Sequence, residues 1–226
     1  MAVRILGATC SLGESVVDRL LSMDIDVIAK EKSHRERNQK LLEYSDVSLQ
    51  ETGSGFSISF DGSDADIVIG KDLIIHDILP TRDDRWLSPE IRNWVAGKKE
   101  DTESRFWLSV IDAANAIAHI AKAKLKLDGI HMSGRREWSS IDSRAEFDML
   151  WQRTKQGITG EFTSETLFGH EIAGMEAKPI TQVGAQRPDL EPLHEVLLQL
   201  TGDGWRPLVP FRTALMTLIA GLMDGD

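Results

Sequence analysis

The sequence predicts an α/β fold, with a reduced, mostly parallel sheet, flanking helices and a small, mainly helical C-terminal lobe. The chain opens with an apolar run, a loop of small residues, a segment of helical period and a second apolar run, at 3–6, 7–13, 14–23 and 26–29. This strand–helix–strand order forms a βαβ unit, whose strands are parallel with a right-handed crossover. More β-type runs follow before residue 80, and segments of helical period dominate the rest.

Glycines separate three of these β-type runs, at 56–60, 66–69 and 73–79. Parallel neighbours normally need a crossover of about a dozen or more residues, usually a helix. The three runs lie too close together for a helix to fit between them. Either two of them form a hairpin, or an expected crossover helix has been lost.

The second half of the chain carries capping signals for several helices. Ser88-Pro89 opens a helix that ends near Gly97, with proline at the first helical position. Asp112 is placed to cap the helix that follows it, and Ser139-Ser140 are placed to cap another. The predicted elements of this half are strands at 106–110 and 129–132, helices at 113–126, 146–156, 193–200 and 211–222, and a loop at 157–192.

The composition limits the classes of function. The 226 residues carry 26 lysines and arginines against 36 aspartates and glutamates, and the net charge of −10 argues against a general affinity for nucleic acid. The single cysteine, Cys10, excludes an intramolecular disulfide and fits a reducing compartment. The longest apolar region, near 208–223, is interrupted by Pro210 and Arg212, so it predicts no membrane span. We expect a cytoplasmic protein that binds neither nucleic acid nor membrane.

A phosphate-binding loop is indicated between the first strand and the first helix, at Gly7-Ala8-Thr9-Cys10-Ser11-Leu12-Gly13. Glycines allow a tight turn and close backbone approach, and the N–H groups at a helix start can bind a pyrophosphate. Cys10 stands in place of the middle glycine, where a side chain crowds the point at which backbone meets phosphate. Two interpretations stay open: a cofactor site formed by these loop residues, or a turn that only packs the helix on the strand.

From this loop onward the chain resembles the extended short-chain dehydrogenase/reductases, which include the NAD-dependent epimerases and dehydratases, and most of all the dTDP-4-dehydrorhamnose reductase group. The opening at 3–13 carries the first similarity, and Asp66-Ile67-Val68-Ile69 is similar to the family's fourth strand. Three later parts are also similar. They are a strand–Asp–helix element at 108–116, a late strand at 129–134 with the serine that opens the next helix at 138–139, and the C-terminal tail at 187–188, 204–207 and Phe211. The resemblance implies a Rossmann-like core that binds a dinucleotide through Gly7, Thr9, Cys10, Ser11, Leu12 and Gly13.

The catalytic pair of that superfamily, a tyrosine and a lysine four residues later, has no counterpart in this sequence. The single tyrosine, Tyr44, precedes the fourth-strand match, and position 48 is a serine. Between Gly70 and Leu73 the sequence passes from the fourth-strand match to a sixth-strand match, so the segment with the catalytic helix is missing. That helix also commonly forms the family's dimer interface. We therefore assign no catalytic residue. A length of 226 residues is short for the resembled family, and the missing residues fall in the segment that would carry catalysis.

The resemblance implies a nicotinamide dinucleotide and a nucleotide-linked sugar as ligands. After the second strand of such a fold, an acidic residue suits a ribose hydroxyl and a basic residue suits a 2′-phosphate. Basic residues predominate at 30–37, so Lys32 is assigned to the cofactor and NADP is favoured over NAD, with no cofactor as the remaining alternative. Arg135 and Arg187 are candidates for binding a substrate diphosphate, because guanidinium groups bind phosphate with paired hydrogen bonds.

Other polar and aromatic groups are interpreted structurally. His76 and Asp77, with the acidic pair at 83–84, are interpreted as a solvated strand end and a charged turn rather than as metal ligands. His131 is interpreted as a packing residue. Three tryptophans of one third of the chain are expected to anchor a core or a partner surface: Trp86, Trp94 and Trp107.

We expect residues 1–130 to form the nucleotide-binding core, truncated in its middle, and residues 131–226 to form a substrate-type lobe closely packed on it. The leading hypothesis is a degenerate, non-catalytic protein of this type that binds a dinucleotide or a nucleotide sugar and serves as a regulatory or complex-forming subunit, with a protein partner or a second copy of itself. The alternative is an active NADP-dependent reductase or epimerase of a nucleotide-linked sugar with non-standard catalytic residues. A structural protein without ligand is the third possibility, and Cys10 favours it.

Overall fold

The computed structural model describes residues 2–98, 103–159 and 186–223. Five strands form the central sheet: β1 (Ala2–Leu6), β2 (Asp26–Ile28), β3 (Leu49–Gln50), β4 (Phe56–Ser59) and β5 (Ile67–Val68). Their order is β3-β2-β1-β4-β5, and every neighbouring pair is parallel. The predicted α/β class with a mostly parallel sheet is therefore confirmed.

Two further strand pairs extend this arrangement. They are formed by β6 (Leu73–Ile75) with β9 (Ile130–Met132), and by β7 (Ile78–Leu79) with β8 (Leu108–Ser109), both parallel. A single parallel bridge between Ile69 and Leu73 links the end of β5 to the start of β6. The loops after β1 and β7 leave the carboxyl ends of parallel strands, which is the edge where open α/β sheets bind ligands.

The close β-type runs pair without a crossover helix. Ile58 and Ser59 of β4 lie opposite Ile67 and Val68 of β5 in parallel register, so the lost crossover is the correct alternative and the hairpin is wrong for this pair. The strand similar to the family's fourth is thus the fifth in chain order. The carboxylate of Asp66 fixes the short connection, because it accepts hydrogen bonds from the backbone N–H and the hydroxyl of Ser57 at 3.0 and 2.9 Å. These bonds and Lys126 lower the pKa of Asp66 to about 2.

The described residues form eight helices: α1 (Ser11–Ser22), α2 (Ser33–Arg37), α3 (Gln39–Tyr44), α4 (Pro89–Val95), α5 (Val110–Ala123), α6 (Ser140–Thr159), α7 (Glu191–Thr201) and α8 (Phe211–Met223). Helix α1 begins three residues before its predicted start, because extended Cys10 is the N-cap and the end of the glycine loop forms the first turn. Helix α6 begins at Ser140, earlier than predicted, because the Ser139 hydroxyl accepts the N–H of Asp142 at 3.1 Å. The predicted loop at 157–192 is wrong at both ends, because α6 extends to Thr159 and α7 begins at Glu191. The middle of this segment lies outside the described residues.

Two capping predictions have opposite outcomes. The Ser88 hydroxyl accepts the N–H of Ile91 at 3.2 Å, which confirms Ser88 as the cap of α4. Asp112 does not cap α5: the helix begins at Val110, and Ser109 is its N-cap. The Asp112 carboxylate instead accepts the backbone N–H groups of Leu208 and Val209 at 3.0 and 2.9 Å. Asp112 is therefore a long-range anchor for the loop before α8.

Two hydrophobic cores hold these elements together. In the first, α1 and α5 pack side by side against the parallel sheet, and α7 packs against α5 and β9. The second core lies between α4, α6 and α8, around the buried side chains of Trp94, Trp107 and Phe147. Arg212 of α8 binds both carboxylate oxygens of Glu146 of α6 at 2.8 and 2.9 Å, which ties the two helices together at the surface.

Both cores draw residues from both sides of the boundary expected at 130–131. Leu193 and Trp205 belong to the first core, while Leu79 and Trp94 belong to the second. The division into two domains stays a prediction. Among the described residues, no helix is both long enough and apolar enough to cross a membrane.

Candidate functional site

The glycine loop after β1 has the backbone of a tight phosphate-type turn. Gly7 adopts φ +64°, a conformation that favours glycine, and a Cβ there would lie 2.5 Å from the Cβ of Asp61. Gly13 lies so close to Ala8 that a Cβ would come within 2.6 Å of the Ala8 Cα. Leu12 is fully buried and belongs to the first core. The loop residues predicted to bind a cofactor therefore include two core residues, Cys10 and Leu12, and two glycines with structural requirements of their own.

Cys10 is buried beneath two side chains that follow β7. Its thiol is 4% exposed and accepts a hydrogen bond from the indole Nε1 of Trp86 at 3.2 Å. The Arg85 guanidinium lies 3.6 Å from the same sulfur and stacks over the Trp86 ring at 5.4 Å. The side chain in place of the middle glycine is thus packed against a segment far away in sequence. Trp86 consequently lies apart from Trp94 and Trp107, whose rings are 6.1 Å apart in the second core.

An internal carboxylate occupies the N-terminal end of α1. Asp84 Oδ2 accepts the backbone N–H of Ser11 at 2.6 Å and the Ser11 hydroxyl at 2.6 Å. Its other oxygen, Oδ1, accepts the N–H of Trp86 at 2.8 Å. The free N–H groups of a first helical turn are the donors that bind phosphate in nucleotide-binding folds. At Ser11, this donor is already used by Asp84.

A buried carboxylate of α1 binds the same distant segment. Glu14 is 7% exposed, and its two oxygens accept two hydrogen bonds from the Arg82 guanidinium at 2.7 Å each. These bonds raise the pKa of Arg82. Arg82 also donates to the Thr9 carbonyl at 3.1 Å, and Arg37 of α2 binds Glu14 from another side at 2.6 Å. We call residues 81–86 the strap, because they cross the loop and contact it at Thr9, Cys10, Ser11 and Glu14.

Lys32 lines a small cavity beside β2 and β3. The cavity has a volume of about 190 Å³, and its wall includes Ala29, Glu31, Lys32, Arg35, Glu36 and Leu49. In a Rossmann-like fold, this end of the second strand faces the ribose of a dinucleotide. Both acidic and basic side chains line the cavity, so its composition leaves the choice between NAD and NADP open.

Arg135 and Arg187 line one cavity, although they are 52 residues apart in sequence. It has a volume of about 360 Å³, and we call it the arginine cleft; its wall also includes Pro188, Asp189, Leu190, Glu191, His194 and Trp205. The Asp189 carboxylate accepts the N–H of Glu191, the first residue of α7, at 3.0 Å. Arg136 is not part of the cleft, since its guanidinium stacks over the Trp138 ring at 4.5 Å.

His194 is held in place within the arginine cleft. Its Nδ1 accepts the backbone N–H of Trp205 at 3.1 Å, so a neutral ring carries its proton on Nε2. The Trp205 indole in turn donates to the carbonyl of Ser133, two residues before Arg135, at 3.0 Å. The cleft therefore combines two guanidinium groups and an oriented imidazole.

Two histidines meet at the carboxyl ends of β6 and β9. His76 Nε2 lies 2.8 Å from His131 Nδ1, and the rings stack with centroids 5.1 Å apart. Asp77 turns away into a left-handed conformation, and its carboxylate accepts the N–H of Phe106 at 2.8 Å. Burial and the neighbouring His131 lower the pKa of His76. Within the described ranges, no three histidine, cysteine or acidic side chains are grouped to hold a metal ion.

The histidine pair predicts a pH dependence of stability. Because its pKa is lower in the folded state than the unfolded value of about 6.5, His76 takes up a proton more readily in the unfolded chain. Its contribution to the free energy of unfolding is therefore lost as the pH falls below about 6.5. We expect the decline between about pH 7.5 and about pH 5 to be smaller in His76→Gln than in the natural protein, by urea unfolding at each pH. Equal declines in the two proteins would contradict this assignment.

The single tyrosine does not take part in any of these sites. Tyr44 is the last residue of α3 and is 89% exposed. Local sequence patterns gave no role to Arg82 and His194, and they placed Asp84 only in a charged turn. The interpretation of 83–84 as a solvated turn holds for exposed Asp83, whose carboxylate binds Arg92 at 2.8 Å, but is wrong for Asp84. No local pattern identifies Asp84, since its partner Ser11 lies 73 residues earlier.

No protein-family model and no curated protein matches this sequence. Solved structures share its fold, however. The dTDP-glucose 4,6-dehydratase of Bacillus anthracis, in complex with NAD, has a TM-score of 0.55 at 10% identity, over 100% of this chain and 97% of that chain. Pal from Bacillus thuringiensis has a TM-score of 0.56 at 9% identity, over 100% of both chains. The UDP-glucuronic acid 4-epimerase of Bacillus cereus, in complex with UDP-glucuronic acid and NAD, has a TM-score of 0.52 at 11% identity, again over 100% of both.

At these identities the likeness establishes the fold. The chain has a Rossmann-like α/β fold, which it shares with these dehydratase and epimerase structures, as the resemblance implied. The narrower similarity to the dTDP-4-dehydrorhamnose reductase group and the loss of the catalytic segment stay predictions. Because one fold serves many activities, the function has to be argued from the sites.

Proposed function

We propose that this protein is a non-catalytic member of the short-chain dehydrogenase/reductase type that binds a nucleotide-linked ligand in the arginine cleft and serves as a regulatory or complex-forming subunit. The observation that carries the proposal is the convergence of Arg135 and Arg187 on one cavity beside His194. Two guanidinium groups can each present paired N–H donors to a diphosphate. A nucleotide sugar is the ligand class that the fold supports, since a structural neighbour was crystallised with UDP-glucuronic acid.

We infer that the protein is non-catalytic because it lacks the side chains that the superfamily uses for proton transfer. Its proton transfer needs a phenol whose pKa is lowered by a nearby cation. The single tyrosine of this sequence is on the exposed end of α3, and the fourth residue after it is Ser48. The arginine cleft contains an imidazole but no phenol. A binding role uses the groups that are present, whereas the alternative of an active reductase or epimerase requires other acid–base residues.

The dinucleotide belongs to the proposal as a second ligand, at the glycine loop and the cavity of Lys32. Structural neighbours crystallised with NAD support a nicotinamide dinucleotide as its class. We propose NADP rather than NAD on the strength of the basic residues that follow β2, since Lys32 and Arg35 can bind a 2′-phosphate, although Glu31 and Glu36 line the same cavity. We expect the protein to work in the cytoplasm, with a protein partner or a second copy of itself.

A titration with nucleotide sugars tests the cleft. We expect UDP-glucose or dTDP-glucose to bind the purified protein in a calorimetric titration. Replacing Arg135 and Arg187 together by glutamine should weaken binding about tenfold or more, since one charge-assisted hydrogen bond is worth about 1.5–3 kcal/mol. Arg136→Gln is the matched control, because this neighbouring guanidinium stacks on Trp138 outside the cleft, and its affinity should stay unchanged.

Three results would contradict the proposal. Equal affinity in the double variant and the control would show that the cleft is not the site. Turnover of the bound sugar with NADPH or NADH would favour the active reductase or epimerase. For the role as a subunit, a protein that stays strictly monomeric and retains no partner would be the contrary result.

A further inference from the structure

The strap makes a continuous set of contacts with the loop that should receive a dinucleotide. Arg82 binds Glu14 and the Thr9 carbonyl, Asp84 binds Ser11, and Trp86 covers the Cys10 thiol. These contacts connect segments about 70 residues apart in sequence. The strap therefore contacts the loop at Thr9, Cys10 and Ser11 and the first turn of α1 at Glu14.

The position of Asp84 is the one that an anionic ligand needs. The helix dipole and the free N–H groups of a first turn favour a negative charge there. Asp84 supplies that charge from within the chain, through two hydrogen bonds of 2.6 Å to the buried residue Ser11. Charge-assisted bonds of this length are among the stronger hydrogen bonds in proteins. A pyrophosphate can use the Ser11 N–H only after Asp84 has left it.

The cationic side chains nearest the loop are also paired within the chain while the strap is closed. Glu14 lies in the first turn of α1, and the Asp61 side chain lies directly against Gly7. Together with Asp84, these place three carboxylates around the loop. The guanidinium of Arg82 is neutralised by Glu14. Because Glu14 is bound by both Arg82 and Arg37, these guanidinium groups are not free to bind a pyrophosphate at the closed loop.

We propose that the strap is an autoinhibitory device in which Asp84 stands in for the pyrophosphate and keeps the loop closed to nicotinamide dinucleotides. A dinucleotide binds only to molecules in which the strap has opened, so its apparent affinity is reduced by the fraction of open molecules. The loop keeps its turn while empty, because the chain itself supplies the anion at the helix end. This inference concerns the glycine loop and rests on the dinucleotide part of the proposed function. Ligand binding in the arginine cleft is independent of it and is tested separately.

Removing the carboxylate tests the proposal. Asp84→Asn keeps the shape and removes the charge, and Asp84→Ala removes the acceptor. If the strap is open in about a tenth of the molecules, either variant should bind NADPH or NADH up to about tenfold more tightly by calorimetry than the natural protein, with Ala exceeding Asn. Asp83→Asn is the matched control, because it removes the same charge one residue away, from an exposed side chain bound to Arg92. Its affinity should equal that of the natural protein.

Cys10 gives a second readout that needs no cofactor. It is the single cysteine of the chain and is 4% exposed beneath Trp86, so a thiol reagent such as DTNB can react with it only when the strap opens. Labelling should be several-fold faster in Asp84→Ala than in Asp83→Asn, with circular dichroism confirming that both are folded. Faster labelling with tighter dinucleotide binding supports the strap. The strap proposal is overturned if labelling rate and dinucleotide affinity are both unchanged in the two Asp84 variants, whether or not the natural protein binds a dinucleotide. UDP-glucose binding in the arginine cleft is measured in parallel, so that a failure of the strap proposal can be told from a failure of the proposed function.

Discussion

Replacing Phe147 by alanine is expected to lower the free energy of unfolding by about 3–5 kcal/mol, the usual cost of truncating a buried aromatic residue. Phe147 is fully buried in α6, with its ring 5.4 Å from those of Trp94 and Trp151. Its removal leaves a cavity between α4 and α6, at the centre of the second core. A typical domain has a total stability of about 5–15 kcal/mol, so this single change removes a large part of it.

The measurement is urea unfolding followed by circular dichroism and tryptophan fluorescence. Ile141→Ala is the matched control, since Ile141 is on the same helix and 75% exposed, and its effect should stay within about 0.5 kcal/mol. If the region 131–226 is closely packed on the rest, both probes should report one transition in the natural protein and in both variants. A loss below about 1 kcal/mol in Phe147→Ala would show that the second core is not well packed.

The local signals in the sequence were reliable wherever both partners are near neighbours. The glycine loop lies between β1 and α1 as expected, and Ser88-Pro89 starts α4 with the predicted cap. The Ser139 cap of α6 is also correct, although the helix continues directly from it instead of beginning at Glu146. Each of these features depends on hydrogen bonds within three or four residues, which sequence patterns describe well.

The contacts that define the candidate sites, in contrast, join residues that are far apart in sequence. Asp84 and Ser11 are 73 residues apart, and Asp112 and Leu208 are 96 residues apart. The sequence supports a capping role for Asp112 because aspartate is a good N-cap, but Ser109 is equally suited and begins the helix one turn earlier. Only the folded arrangement decides between them. Arg135 and Arg187 were singled out by residue type alone, and their shared cavity depends on α7 packing near β9.

Replacing Asp112 by alanine is expected to cost about 2–4 kcal/mol of unfolding free energy. The substitution removes the two hydrogen bonds that the N–H groups of Leu208 and Val209 donate to the carboxylate, and a hydrogen bond to a charged group contributes about 1.5–3 kcal/mol. Because Leu208 is exposed, water replaces part of this contribution. The same loop leads from Trp205 of the first core to α8 of the second core. Asp112 thus fixes the connection between the two cores, and its loss should also loosen α8, which hydrogen exchange of the α8 amides would detect.

Asp128→Ala is the control, since Asp128 is an exposed aspartate in the turn before β9 and should change stability little. The pH dependence of the free energy of unfolding tests whether the buried carboxylate itself contributes to stability. Burial raises the pKa of Asp112 above the unfolded value of 3.8, although its two N–H donors oppose the rise. As the pH falls through the raised pKa towards 3.8, the folded natural protein binds the proton more readily and gains stability relative to Asp112→Ala. The stability difference between the two proteins should therefore widen with falling pH, and a narrowing difference would mean that the two N–H donors outweigh burial in setting the pKa of Asp112. An Asp112→Ala protein as stable as Asp128→Ala would contradict the anchoring role.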